Sequence, residues 1–454
     1  MEKKNVVNID SEEENVSEIN SVEGKVVHSA HTHHHSHHST HHHSHHHSSK
    51  KRRSSKAKKF IKRNKYKISN AVIAVLFVGV LIILGVLLDK NKNFGNENSP
   101  DKSSGTNITE DAIQIEIPLF DEDVLIVGPA VKAYADADDS VQAVSIYNDY
   151  FALGQLDAGL PVTLYYNIKG MPVDCDVVGA EILVSEYKDF SASDVYSLSA
   201  DETRVDVYHL ETNTQYYYRI DVSLSNGTKT SVSGSFKTAD TPRFLSVDGV
   251  RNMRDIGGYR TLNGKTVRQG MLYRSTELDG KVESKYMITP QGRNDMLSVL
   301  GIRTEIDLRS ATDNPDGTNA LGTGVKHNYY DAPMYSEAFT AEGKAAIRKV
   351  FADLADKNNY PVLMHCTHGM DRTGTVCYLL EAVLGMSEED MMKEYQFSSL
   401  CHGSLWGLND MNEFIGRLKA YEGDTIQKKA ENYLLSTGVK EAEIAAIREI
   451  YLED

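Results

Sequence analysis

Hydrophobic residues follow three different rhythms along this chain, and each rhythm marks off a separate stretch. Residues 68–88 carry no charged side chain, and from Ala71 to Leu88 nearly every position is Ala, Val, Leu, Ile, Phe or Gly. A helix that is apolar on all faces suits lipid better than the edge of a core, and this run is long enough to span a bilayer. It begins too far from Met1 for an ordinary cleaved leader. Between residues 110 and 240 the rhythm is alternation, as in Val162-Thr163-Leu164-Tyr165-Tyr166, Gln215 to Val222 and Val232 to Thr238. Such period-two runs, with Asn226-Gly227 as a hairpin turn, predict an antiparallel all-β sandwich over 108–241. Further on, the apolar run Tyr360 to Met364 predicts a short buried strand, and Thr373 to Leu384 predicts a helix.

Charge orients these pieces. Eleven Lys and Arg lie between Lys50 and Lys67, whereas only Lys90 and Lys92 closely follow the apolar run. The positive-inside rule puts residues 1–67 in the cytoplasm and everything after Leu88 outside. From Asp89 onward there are 35 Lys and Arg against 57 Asp and Glu, a formal charge of −22. An acidic exterior argues against nucleic acid as a partner, and anionic lipid headgroups suit the basic stretch better. His28 to His47 holds thirteen histidines among Ser, Thr and Ala, without the fixed spacing of a metal site. Loose binding of zinc, nickel or copper there and a plain solvated, disordered tail are both open. Residues 89–107, rich in Asn, Lys and Ser, read as a flexible stalk. Of four cysteines, Cys175 falls in the sandwich stretch and Cys366, Cys377 and Cys401 lie beyond it, with no disulfide framework expected.

Candidate chemistry concentrates in His365-Cys366-Thr367-His368-Gly369-Met370-Asp371-Arg372-Thr373-Gly374. A strand, a tight loop and a helix N-terminus together present backbone N–H groups to an anion. Arg372 supplies a planar fork that can hold two phosphate oxygens, which Lys cannot copy. The amides of Thr367, His368, Gly369, Met370 and Arg372 would line the same cradle. That positive field favours the thiolate of Cys366, which attacks phosphorus in line to give a phosphocysteine that water then hydrolyses. Thr373 could donate a hydrogen bond to the sulfur, and His365 is either an assistant behind it or a packed structural imidazole. A leaving alkoxide needs a proton. Asp371 is the first candidate for that acid and Asp307, at the end of a strand-like run, the second; a merely bracing role for Asp371 is the alternative.

His365 to Gly374 resembles the signature of the cysteine-dependent protein tyrosine phosphatase superfamily. More narrowly, Asn252 to Arg260, Gly270 to Ser275, Gly301 to Arg309 and the tail from Tyr433 to Leu452 are similar to segments of the bacterial tyrosine/lipid phosphatases. The resemblance covers about 244–454. It implies an α/β catalytic domain, a central sheet flanked by helices, over 242–454, with no metal or cofactor and with activity on phosphotyrosine and sometimes on phosphoserine, phosphothreonine or phosphoinositides. One position departs from the group: Met370 stands where a lysine that helps to hold multiply phosphorylated headgroups is usual, and His368 could replace that charge only when protonated. Leu210 to Thr214 and Gly234 to Thr238 resemble a fibronectin type III domain, which implies a spacing or binding role.

The resulting expectation is a single-pass protein of the cell membrane. Its N-terminus is cytoplasmic and its catalytic domain extracellular, acting on a phosphotyrosine protein or a phosphorylated lipid or small molecule. The competing expectations are a lipid phosphatase and a catalytically inactive phosphate-binding surface protein.

Overall fold

A computed structural model describes residues 113–454 apart from Thr241 and Leu405. The His-rich tail, the basic stretch, the apolar run at 68–88 and the stalk lie outside the described residues. No helix among the described residues is long and apolar enough to cross a membrane.

The first part is built on a four-stranded antiparallel sheet in the order Asp194–Leu198, Val177–Ser185, Gln215–Leu224, Lys229–Lys237. Alternation sets which side is buried: Tyr216, Tyr218, Ile220, Val222 and Leu224 all point inward from one strand. They pack with Leu164, Ile182 and Phe236 in one core. Two short antiparallel pairs add Val162–Tyr165 with Arg204–Val207, and Gln114–Glu116 with Asn167–Lys169. The hairpin turn falls at Asn226-Gly227, where Gly227 has φ +84°.

The 108–241 stretch is not all-β, which corrects the expectation from alternation. Helices occupy Pro129–Ala135 and Ala143–Tyr150. Their apolar residues Ala130, Val131, Tyr134 and Ala143 join Phe244, Phe397 and Leu400 from the second part in one cluster. The Tyr134 and Phe397 rings meet edge-on at 5.0 Å. These helices are held by that tertiary face, and at seven and eight residues they would be marginal alone.

The second part contains a five-stranded mixed sheet, ordered Lys326–Tyr329, Thr304–Asp307, Val362–His365, Leu272–Ser275, Arg254–Asp255. The first four strands are parallel and Arg254–Asp255 is antiparallel. Every residue of Val362–His365 is buried, as expected of a central parallel strand covered on both faces. The helix Asp371–Leu384 is buried at every position from Thr373 to Leu384 and forms the spine of the main core. Gly385, at φ +88°, takes up the last carbonyls of that helix, donating to Glu381 and Ala382 O. Helices Ile426–Thr437 and Glu441–Tyr451 pack around it, and Ala341–Leu354 packs against both of them. The loop from Cys366 to Met370 therefore sits at the C-terminal end of the middle strand, where α/β sheets place their ligands. All four cysteines are free thiols.

Candidate active site

The loop is shaped from outside by donors that grip its carbonyls. Thr367 O accepts from Glu277 N at 3.0 Å. His368 O accepts from His402 Nε2 at 2.9 Å and from Asn252 Nδ2 at 3.1 Å. Gly369 O accepts from Arg274 Nη2 at 2.7 Å and from Asn252 Nδ2 at 3.3 Å. In a trans peptide the C=O and the following N–H point opposite ways. Three carbonyls drawn outward therefore turn the amides of His368, Gly369 and Met370 inward, where they make an anion cradle at the start of helix Asp371–Leu384. Gly369 is required here: its φ is +64°, and a Cβ would lie 2.1 Å from Ser275 O.

Arg274 and Arg254, both fully buried, share Glu394 beneath the loop. Arg254 Nε lies 2.6 Å from Glu394 Oε1, and Arg274 Nη1 bonds to Oε2 of the same carboxylate. The shared carboxylate and carbonyl acceptors offset the burial of both cations. Asn252, at φ +54°, donates to the loop and accepts from Arg254 Nη1 through Oδ1. None of these supports was singled out by composition or spacing, although Asn252, Arg254 and Arg274 lie in segments that carry the resemblance.

Cys366 is 2% exposed and closes the middle strand. Arg372 Nη1 is 2.7 Å from Asp313 Oδ2, while its buried Nε has no partner among the described residues. That leaves one edge of the fork for an oxyanion. Burial opposes the Arg372 charge, but the nearby Cys366 and Asp313 raise its pKa above the ordinary value. Burial also opposes the charge of Asp313, yet Arg372 holds its carboxyl below the usual range. Asp313, which also accepts from Thr367 Oγ1 at 3.4 Å, carries no local sequence signal. The Thr373 hydroxyl is buried and unpartnered among the described residues.

Asp371 opens the helix. Its Oδ1 accepts from the Tyr335 hydroxyl and its Oδ2 from Trp406 Nε1 at 3.3 Å. A groove of about 480 Å³ runs from it past Tyr335, Glu337, Trp406, Asp410 and Glu413. Trp406 is half-exposed and its ring lies 5.4 Å from that of His368.

The surroundings of Asp307, His365 and Met370 narrow their roles. Asp307 is fully buried and gripped by Arg309 Nε, at 3.0 and 3.1 Å, and by Asn314 Nδ2 at 2.8 Å. Burial alone would raise its pKa, but His365 and Arg309 hold it well below the usual carboxylate range. A carboxylate so held braces the sheet end and is a poor proton donor. His365 Nε2 is 3.0 Å from Glu305 Oε1 in full burial, so it packs behind the loop. Burial works against its protonation, but Asp307 and Glu305 outweigh that and raise its pKa. Met370 is fully buried in the main core, so its side chain does not line the cradle and only its amide faces inward. A charge count at position 370 therefore says little about headgroup binding. His368 does not supply the missing charge either, because burial lowers its pKa.

Residues 245–453 match the sequence model of the tyrosine phosphatase family. A candidate tyrosine-protein phosphatase of Cupriavidus necator is 27% identical over 175 residues, which is 33% of this chain and 61% of that protein. A tyrosine-protein phosphatase of Nostoc commune is 25% identical over 126 residues, 23% of this chain and 43% of that protein. The chain thus spans less than two thirds of either relative. The core catalytic domain of the S. cerevisiae PP-IP phosphatase SIW14 is 18% identical, with a TM-score of 0.24 and coverage of 36% of this chain and 89% of that one. The family model and both curated relatives carry the same description, tyrosine phosphatase.

Proposed function

We propose that this chain hydrolyses phosphate monoesters, phosphotyrosine first among them, through a phosphocysteine on Cys366. The observation that carries the reading is the loop itself: a buried thiol, inward amides and the free edge of Arg372 converge where a phosphoryl group would sit. Cys366 attacks phosphorus, the ester oxygen leaves with a proton from Asp371, and the phosphocysteine is then hydrolysed with Asp371 taking a proton from water. Thr373, whose buried hydroxyl has no partner among the described residues, would stabilise the departing thiolate. Asp371 is preferred to Asp307 because it borders an open groove.

The groove also bears on substrate class. Glu337, Asp410 and Glu413 line it beside Asp371, and like charge repels a multiply phosphorylated headgroup. This favours a phosphopeptide over a phosphoinositide.

The anchored, exterior arrangement belongs to the same proposal, supported by the apolar run at 68–88 and the eleven basic residues before it. A fibronectin type III-like module between anchor and enzyme is supported by the strand order and by Tyr216, whose hydroxyl accepts from Glu211 N at 2.9 Å, as in a tyrosine corner.

The test is turnover by the full chain of p-nitrophenyl phosphate, phosphotyrosine peptides and phosphoinositides, with Cys366→Ser alongside. Turnover that survives Cys366→Ser would overturn the mechanism, and a preference for phosphoinositides would overturn the substrate class. No turnover of any monoester by the wild type would favour the binding-only alternative.

A further inference from the structure

The first part of the chain reaches into the loop's support. Asp157 lies between helix Ala143–Tyr150 and strand Val162–Tyr165, far in sequence from the catalytic region, and its side chain is fully buried. Its Oδ1 accepts from Arg251 Nε at 2.9 Å and from Nη2 at 2.5 Å. Its Oδ2 accepts from Arg251 Nε at 3.1 Å and from the backbone N of Asn252 at 2.6 Å. Asn252 is the residue whose Nδ2 holds His368 O and Gly369 O. It sits in left-handed backbone, a conformation that even Asn adopts only with local support. A charged acceptor on its N–H supplies that support.

The approach of the two parts is tight at the same place. A Cβ on Gly159, two residues after Asp157, would lie 2.3 Å from Phe244 O. Leu156, on the other side, packs in the cluster with Phe244 and Phe397. The loop carrying Asp157 is thus fixed against the catalytic region from both sides.

We propose that Asp157 is a positioning residue of the active site. By holding Asn252, it turns the His368 and Gly369 carbonyls outward and their following amides into the cradle. The first part of the chain is then a component of the phosphate site and more than a spacer. The inference rests on the phosphatase reading only for its kinetic readout.

Asp157→Ala in the full chain, assayed on p-nitrophenyl phosphate and titrated with orthovanadate, tests this. Misplacing cradle amides should lower kcat/KM and weaken orthovanadate inhibition together, each roughly 10- to 100-fold. Asp157→Asn, whose carboxamide oxygen can still accept from Asn252 N, should recover part of both and covers the case in which the alanine variant does not fold. Gln269→Ala removes a contact between the same two parts, Thr212 N to Gln269 Oε1 at 2.9 Å, away from the loop. It should lower Tm and leave kcat/KM unchanged. A folded Asp157→Ala with wild-type turnover and inhibition overturns the proposal, as does a Gln269→Ala that loses as much. If the wild type turns over no monoester, the phosphatase reading fails, and the orthovanadate-induced rise in Tm, compared between wild type and Asp157→Asn, still decides the role of Asp157.

Discussion

Tyr335 donates its hydroxyl hydrogen to Asp371 Oδ1, tying a residue of left-handed backbone to the first carboxylate of the helix that carries Arg372. The same hydroxyl is 2.7 Å from that of Tyr395, and Tyr335 N donates to Thr375 Oγ1 at 2.9 Å. Burial, and then the charge of Asp371, push the Tyr335 hydroxyl far above its ordinary pKa, so it remains a donor at all working pH values. Tyr335 therefore sets where the carboxylate of Asp371 points.

If Asp371 protonates the leaving group, its removal should matter most where that group is a poor one. Asp371→Asn should lower kcat about 100-fold on a phosphotyrosine peptide. Tyr335→Phe should lower it roughly tenfold on the same peptide. Both should change little on p-nitrophenyl phosphate, whose phenolate leaves without help. A series of aryl phosphates of graded leaving-group pKa reads this directly, and parallel lines for variant and wild type would count against the acid role.

Asp313 braces the Arg372 guanidinium, which is proposed to grip phosphate. Asp313→Ala should lower kcat/KM and weaken inhibition by inorganic phosphate, each by about tenfold, since the fork loses one of its fixed edges. Steady-state kinetics with phosphate as competitor checks both numbers. Unchanged inhibition would mean that Arg372 is held by its other neighbours.

Two glycines separate strain from collision. Gly264 has φ +86° and open space within 4 Å of where a Cβ would stand, whereas a Cβ on Gly369 would meet Ser275 O. Gly264→Ala should cost about 1–2 kcal/mol of stability and leave activity intact. Gly369→Ala must displace the cradle as well, and should abolish turnover at temperatures where the protein is still folded. Urea unfolding together with turnover distinguishes the two effects.

His402 gives a pH-dependent contribution of definite sign. Burial pushes its pKa down to about 4, against about 6.5 in an unfolded chain. Between those values the unfolded chain binds more protons, so this contribution is complete above about pH 6.5 and is lost as pH falls towards 4. His365, whose pKa is raised, acts in the opposite sense, contributing below about 6.5 and losing that contribution as pH rises through its folded value. His402→Gln keeps a donor for His368 O and should flatten the acid limb of a stability–pH curve measured by urea unfolding from about pH 4.5 to 7.5.

The parts of this molecule visible in its sequence are those encoded over short distances. Cys366, Arg372 and Thr373 belong to one ten-residue stretch, and the strand before it and the helix after it announce themselves by unbroken apolar runs. The alternating strands around Tyr216 and Phe236 are legible for the same reason. What escaped notice depends on contacts across the chain. Asp313 approaches Arg372 from a loop with no periodicity, and Asp157 meets Asn252 across 95 positions. The helices at 129–150 are too short for a strong helical period and are held by Phe397 and Leu400. Met370 is a related case, because a family comparison shows which residue stands at a position but not which way it faces.

Arg254 and Arg274 have almost no surface in contact with solvent, while Arg372 keeps 16% of its side chain exposed. Counter-ions can crowd around the second kind of charge but hardly reach the first. The arginines about this loop are thereby divided between a foundation and a mouth. Brine would slow the arrival of an anionic substrate at the mouth, while the foundation that shapes the cradle stays as it is.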